Sequence, residues 1–128
     1  MFKNNATQVK PLTDVELEMM QKIWSLGPCS IAEIKESMPK ERKLAYTSIS
    51  TIVRILEQKK YVKSTKEGRG HIYSPLLKKE DYQARSLSYF VKNTFDGIPG
   101  SLVRRLVETQ NLKPEDLQEL EALIKKRE

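Results

Sequence analysis

Cysteine and histidine each occur once, as Cys29 and His71. A single thiol excludes an internal disulfide, and the pair falls short of the Cys/His cluster that a structural or catalytic zinc requires. Carboxylates remain as ligands for a hard cation, but no loop groups them at calcium-binding spacing. No apolar run approaches a membrane span, and residues 1–11 lack the apolar core of a secretion signal. Nucleophile–base pairs and phosphate-binding glycine loops are also missing. The expectation is a soluble cytoplasmic protein, not an enzyme, with no metal and no cofactor. At 128 residues the chain has room for one small domain plus an oligomerisation element.

Positive charge is present and strongly localised. Between residues 40 and 69 stand nine basic side chains (Lys40, Arg42, Lys43, Arg54, Lys59, Lys60, Lys63, Lys66, Arg69) against Glu41, Glu57 and Glu67, which accounts for the whole net charge of +6. A patch this local points to a polyanionic partner.

Residues 1–11 are polar and aperiodic and read as a flexible arm. Thr13 and Glu16 have capping-box spacing and start a helix that runs to Leu26, with Leu17, Met20, Ile23 and Trp24 as its buried stripe and Gly27-Pro28 as its stop. Ser30 caps a short second helix whose Ile31, Ile34 and Met38 share a face, ended by Pro39. After a charged link, a third helix begins near Ala45. At 100° per residue Ile49, Ile52, Val53 and Leu56 fall on one side and Thr47, Ser50, Thr51 and Arg54 on the other. Tyr61–Lys66 and His71–Ser74 then read as strands of a hairpin around Gly68-Arg69-Gly70.

Beyond Pro75 three amphipathic helices are expected, over residues 81–95, 100–109 and 114–126. Leu87, Phe90 and Val91, then Leu102, Val103 and Leu106, then Leu117, Leu120 and Ile124 give them more apolar surface than three short helices can bury alone. A second copy of the chain is the expected partner. Glu115, Asp116, Glu119 and Glu121 read as the outer face of a helix start, where they favour the dipole, rather than as a carboxylate site. The fold class is thus mostly α with a small β-hairpin: a winged helix-turn-helix over residues 12–76 followed by a helical dimerisation region over residues 77–128.

In that fold the third helix enters the major groove. Thr47, Ser50, Thr51 and Arg54, with Tyr46 and Ser48 beside them, are the expected base-reading residues, since hydroxyls meet base edges and arginine meets guanine O6 and N7. A Ser/Thr helix face is by itself more often plain solvated surface; the basic surroundings reverse that weighting. Lys40, Arg42, Lys43, Lys63, Lys66 and Arg69 are the expected phosphate contacts, Arg69 at a hairpin tip where glycines permit close approach.

The strings Leu12-Thr-Asp-Val-Glu-Leu-Glu-Met-Met20, Ile23-Trp24, Ala45-Tyr-Thr-Ser-Ile-Ser-Thr-Ile-Val-Arg-Ile-Leu-Glu57 and Tyr73-Ser-Pro75 resemble the penicillinase-repressor family, which includes methicillin-resistance and copper-transport repressors. The resemblance implies a dimeric winged-helix repressor on double-stranded DNA with an inverted-repeat operator, dimerised through its C-terminal helices. It also implies an inducing signal, such as a membrane sensor-protease upstream that cuts in the dimerisation region. Two departures narrow this. The copper branch ends in paired Cys-x-Cys motifs, and no cysteine follows Cys29; the antibiotic-resistance branch is cut at an Asn-Phe bond, where this chain has Arg105-Leu106. The competing expectation is a winged-helix module whose basic surface binds an acidic protein.

Overall fold

The computed structural model describes residues 10–127, so the arm expected over residues 1–11 lies, except for Lys10 and Pro11, outside the described residues. In chain order the described elements are α1 (Asp14–Leu26), α2 (Ile31–Glu36), α3 (Tyr46–Gln58), β1 (Val62–Glu67), β2 (Gly70–Pro75), α4 (Lys79–Thr94), α5 (Pro99–Thr109) and α6 (Pro114–Arg127). This is the expected winged helix with a helical C-terminal region. The chain divides into two compact units, one ending at Ser86 and one beginning at Leu87.

Both early caps form as their spacing requires. The Glu16 amide donates to Thr13 Oγ1 at 3.2 Å and the Thr13 amide to Glu16 Oε1 at 2.9 Å, while Ser30 and Glu33 repeat the exchange at the start of α2. Each box satisfies two backbone donors that a helix start leaves open. The buried side of α1 is wider than a single stripe. Met19, Met20 and Ile23 are fully buried, whereas Leu17 and Trp24 sit at the rim, because α1 packs against α2, α3 and β2 at once. Helix α2 stops earlier than Pro39. Ser37 closes it, its hydroxyl donating to the Ile34 carbonyl at 2.7 Å, and Met38 packs on the core from outside the helix.

Helix α3 buries Ile49, Val53 and Leu56 completely, with Ile52 partly covered. It leaves through Lys60 at φ 67°, with the Lys60 amide donating to Glu57 O and the Tyr61 amide to Leu56 O, both at 3.0 Å. That pair of bonds is a Schellman ending, here with lysine in the left-handed position where glycine is usual. The hairpin is antiparallel from Val62↔Pro75 to Glu67↔Gly70. Gly70 therefore belongs to the strand, and the loop is only Gly68-Arg69, with Gly68 at φ 61° as a two-residue hairpin turn with glycine first requires.

The core does not end where the sequence places the end of the head, at residue 76. The Tyr82 hydroxyl accepts the Leu12 amide at 3.0 Å, its ring lies 5.7 Å from Trp24 and 6.2 Å from Tyr61, and the Trp24 indole donates to the Leu77 carbonyl at 2.9 Å. The first turn of α4 is thus part of the winged-helix core. In the second unit α5 and α6 bury no residue, and Leu106, Leu117, Leu120 and Ile124 are exposed.

Glu16 is the one buried carboxylate among the described residues, and besides its cap it accepts from Lys59 Nζ at 2.9 Å. Burial by itself raises its pKa; the Lys59 ammonium and the Thr13 donors outweigh this and hold it below the usual value of 4.5. Its contribution to stability is therefore complete above pH 4.5 and is lost as the pH falls through the lowered folded value. Glu16→Gln should destabilise the chain by about 1–2 kcal/mol at pH 7 and flatten the acid limb of a denaturant-midpoint series, and an unchanged acid limb would refute this. Tyr82→Ala should cost about 3 kcal/mol. A chain ended after Pro75 should lose cooperative melting by circular dichroism, while one ended after Ser86 should retain it.

Candidate nucleic-acid interface

Helix α3 presents the face drawn from its sequence. Tyr46 is 52% exposed, Thr47, Ser48, Thr51 and Arg54 are exposed, and Ser50 is half-buried. Ala45 precedes the helix without a side-chain cap, so the first-turn amides are left facing outward, where an anion is favoured. The Thr51 hydroxyl donates to the Thr47 carbonyl at 2.9 Å, which leaves its lone pairs, not its proton, for an outside partner.

A cleft of about 300 Å³ separates this face from the hairpin, with Tyr46, Ser50 and Arg54 on one wall and Glu67, Arg69 and His71 on the other. A second cleft of about 280 Å³ holds Arg54, Glu57 and Gln58 against Ser64, His71 and Tyr73. Ser64 Oγ donates to Glu57 Oε2 at 2.6 Å, which fixes the side of the hairpin that meets α3. Strand side chains alternate, so Lys66 shares that side with Ser64, while Lys63 points to the other. The structure therefore sets Lys63 and Lys66 on opposite sides of β1, while Arg69 lines the cleft that faces α3.

The basic patch is partly neutralised from within. Arg42 makes two bonds of 2.9 Å to the Glu18 carboxylate, which hold that carboxyl below the usual range and the guanidinium above its own. Lys59 is committed to Glu16. Among the described residues no ion pair holds Lys40, Lys43, Lys63, Lys66 or Arg69. Lys40 and Lys43 line a groove of about 720 Å³ at the entrance to α3, together with Lys35, whose ammonium donates to the Leu44 carbonyl at 2.8 Å. Arg42, one of the expected phosphate contacts, is thus exposed but paired with Glu18. Lys35 is the cation that sequence reasoning passed over, because on helical spacing it looks like plain solvated surface.

Tyr73 was also passed over. It is 5% exposed, and burial first, then the Glu57 carboxylate, push its phenol above 10.0 against the pull of Arg54, so it stays protonated at neutral pH. Its backbone pairs with Cys29 in an antiparallel bridge, N to O at 3.0 Å one way and 2.7 Å the other. Of the residues expected in the C-terminal interface, Leu87, Phe90, Val103, Leu106, Leu117, Leu120 and Ile124 are exposed, and Val91 and Leu102 are half-buried.

Residues 12–126 match the sequence model of the family described as penicillinase repressor. The chain belongs to the penicillinase repressor family. It is 26% identical over 117 residues to the penicillinase repressor of Bacillus licheniformis, covering 91% of each chain. It is 24% identical over 116 residues to the methicillin resistance regulatory protein MecI of Mammaliicoccus sciuri, covering 91% of this chain and 94% of that one. The solution structure of the DNA binding domain of the repressor BlaI superposes with a TM-score of 0.50 at 30% identity, covering 56% of this chain and 87% of that one. Family membership and the winged-helix fold agree with the sequence reading.

Cys29 is 1% exposed, and burial together with the Glu33 carboxylate pushes its thiol up to about 11. It is a packing residue of the sheet edge and is inert at neutral pH. Iodoacetamide at neutral pH should label it in guanidinium but not in the folded chain, and equal rates in the two conditions would contradict this burial.

Proposed function

We propose that this chain is a sequence-specific DNA-binding repressor of transcription, acting as a homodimer on an inverted repeat and excluding polymerase from the promoter it overlaps. The observation that carries the reading is the exposed Thr/Ser/Arg face of α3, set between a wing tip bearing Lys66 and Arg69 and the Lys40/Lys43 groove. Such a helix reads base edges while flanking cations fix its register on phosphates. The names of the relatives agree, being those of repressors and, for BlaI, of a DNA-binding domain.

The dimer rests on apolar surface. Among the described residues none covers α5 and α6, whose leucines are the natural seam for a second copy. Relief would come from a signal that separates the copies. Proteolysis within this region by a sensor-linked protease is one such route, and Arg105 and Leu106 both lie exposed in α5.

Arg54→Ala should relax selectivity at one or two positions of each half-site by about 1–3 kcal/mol, read on a panel of operator variants. Lys66→Ala and Arg69→Ala should each flatten the log–log salt dependence by about one unit for all sequences, and Lys63→Ala, on the far side of the wing, by less. Salt-dependent binding with no sequence preference would favour an acidic protein as partner instead. Leu106→Asp with Leu120→Asp should convert the dimer to a monomer in sedimentation velocity and weaken binding to the palindrome. A monomeric intact chain would overturn the dimer.

A further inference from the structure

The far end of the α3 polar face is built into the wing, and this has a consequence for readout that rests on the function proposed above. Arg54 and Glu57 are three residues apart and so neighbours on one side of α3. Opposite them stand Ser64 and Tyr73, which are cross-strand partners and therefore share one side of the hairpin. Ser64 clamps the Glu57 carboxylate at 2.6 Å, and the four side chains close on one cleft. A buried tyrosine needs a partner for its hydroxyl, and the groups lining this cleft supply an acceptor in Glu57 and a donor in Arg54.

We propose that Tyr73 and Glu57 are positioning residues that fix the direction in which Arg54 is presented to a base edge, with Ser64 holding Glu57 in place. The wing then has two tasks: its tip meets phosphate, and its inner side aims the one cation on the reading face of α3. A guanidinium on a flexible stem reads guanine in two bonds only when its plane is set, and a preset plane loses less rotamer freedom on binding.

The arrangement separates positioning from contact. Tyr73→Phe removes one hydroxyl and keeps the buried ring. Glu57→Gln removes an anchor and also a negative charge beside a polyanion, so it should raise non-specific affinity while loosening selectivity, two changes that no loss of folding produces together.

The experiment is selection of bound sequences from random double-stranded DNA by the full chain, for the wild type, Arg54→Ala, Tyr73→Phe, Glu57→Gln, Ser64→Ala and the Arg54→Ala/Tyr73→Phe double variant, with melting curves and salt titrations. Expected is that Tyr73→Phe loosens the same base positions as Arg54→Ala, by about three- to tenfold in discrimination, with an unchanged salt slope and no further effect in the Arg54→Ala background. Ser64→Ala should give a smaller change at those positions. If Tyr73→Phe and Glu57→Gln keep the wild-type preference there, or Tyr73→Phe weakens every sequence alike, the positioning role is overturned and the DNA-binding function stands. The same holds if Arg54→Ala leaves the preference intact. A wild-type chain that selects no motif overturns both.

Discussion

Two backbone hydrogen bonds between Cys29 and Tyr73 hold the hairpin to the helices, and the geometry of the candidate interface follows from them. A two-stranded hairpin is marginal in water and gains stability only when something extends or covers it. Here the residue after Gly27-Pro28 acts as a one-residue third strand. Gly27 at φ 76° turns the chain out of α1, and Cys29 is small enough to be covered entirely where the sheet meets the core. The same bridge places the Tyr73 ring under α3, so the attachment of the wing and the surroundings of Arg54 depend on one residue.

Helix α1 is the common support. It packs against α2, α3 and β2, which is why Met19 as well as Met20 and Ile23 lose all contact with solvent. Its first turn carries a carboxylate with two tasks: Glu16 closes the cap and receives Lys59 from the residue that ends α3. Its last turn offers Trp24 to the Leu77 carbonyl and to the ring of Tyr82. Both ends of α1 are thereby tied to chain that comes much later, and the start of α4 is drawn into the head.

What could be read from the sequence was what local rules govern. The Thr13–Glu16 capping box, the Ser30 cap, the apolar side of α3, the hairpin and the three C-terminal helices each follow from local spacing, and all formed close to the expected positions; that Glu33 completes a second box was not foreseen. Contacts across long separations were not legible. Nothing near Arg42 shows that Glu18 will take it, nor does anything near Lys59 point to Glu16, so the patch looked more available than it is. Tyr82 reads as helix surface until its hydroxyl is seen on the Leu12 amide. The opposed directions of Lys63 and Lys66 were implicit in strand alternation, but the inner side became known only through the Ser64–Glu57 bond. For the C-terminal helices the apolar positions were legible, and among the described residues they stay largely exposed.

The corner between α3 and β1 carries a cost that the rest of the fold tolerates. Lys60 stands at φ 67°, a conformation that disfavours any side chain with a Cβ by about 1–2 kcal/mol and that glycine adopts freely. Exchange for glycine would relax the corner and at the same time remove one of the nine cations on which attraction to a polyanion depends. At this single position, heat tolerance and electrostatic capture oppose each other.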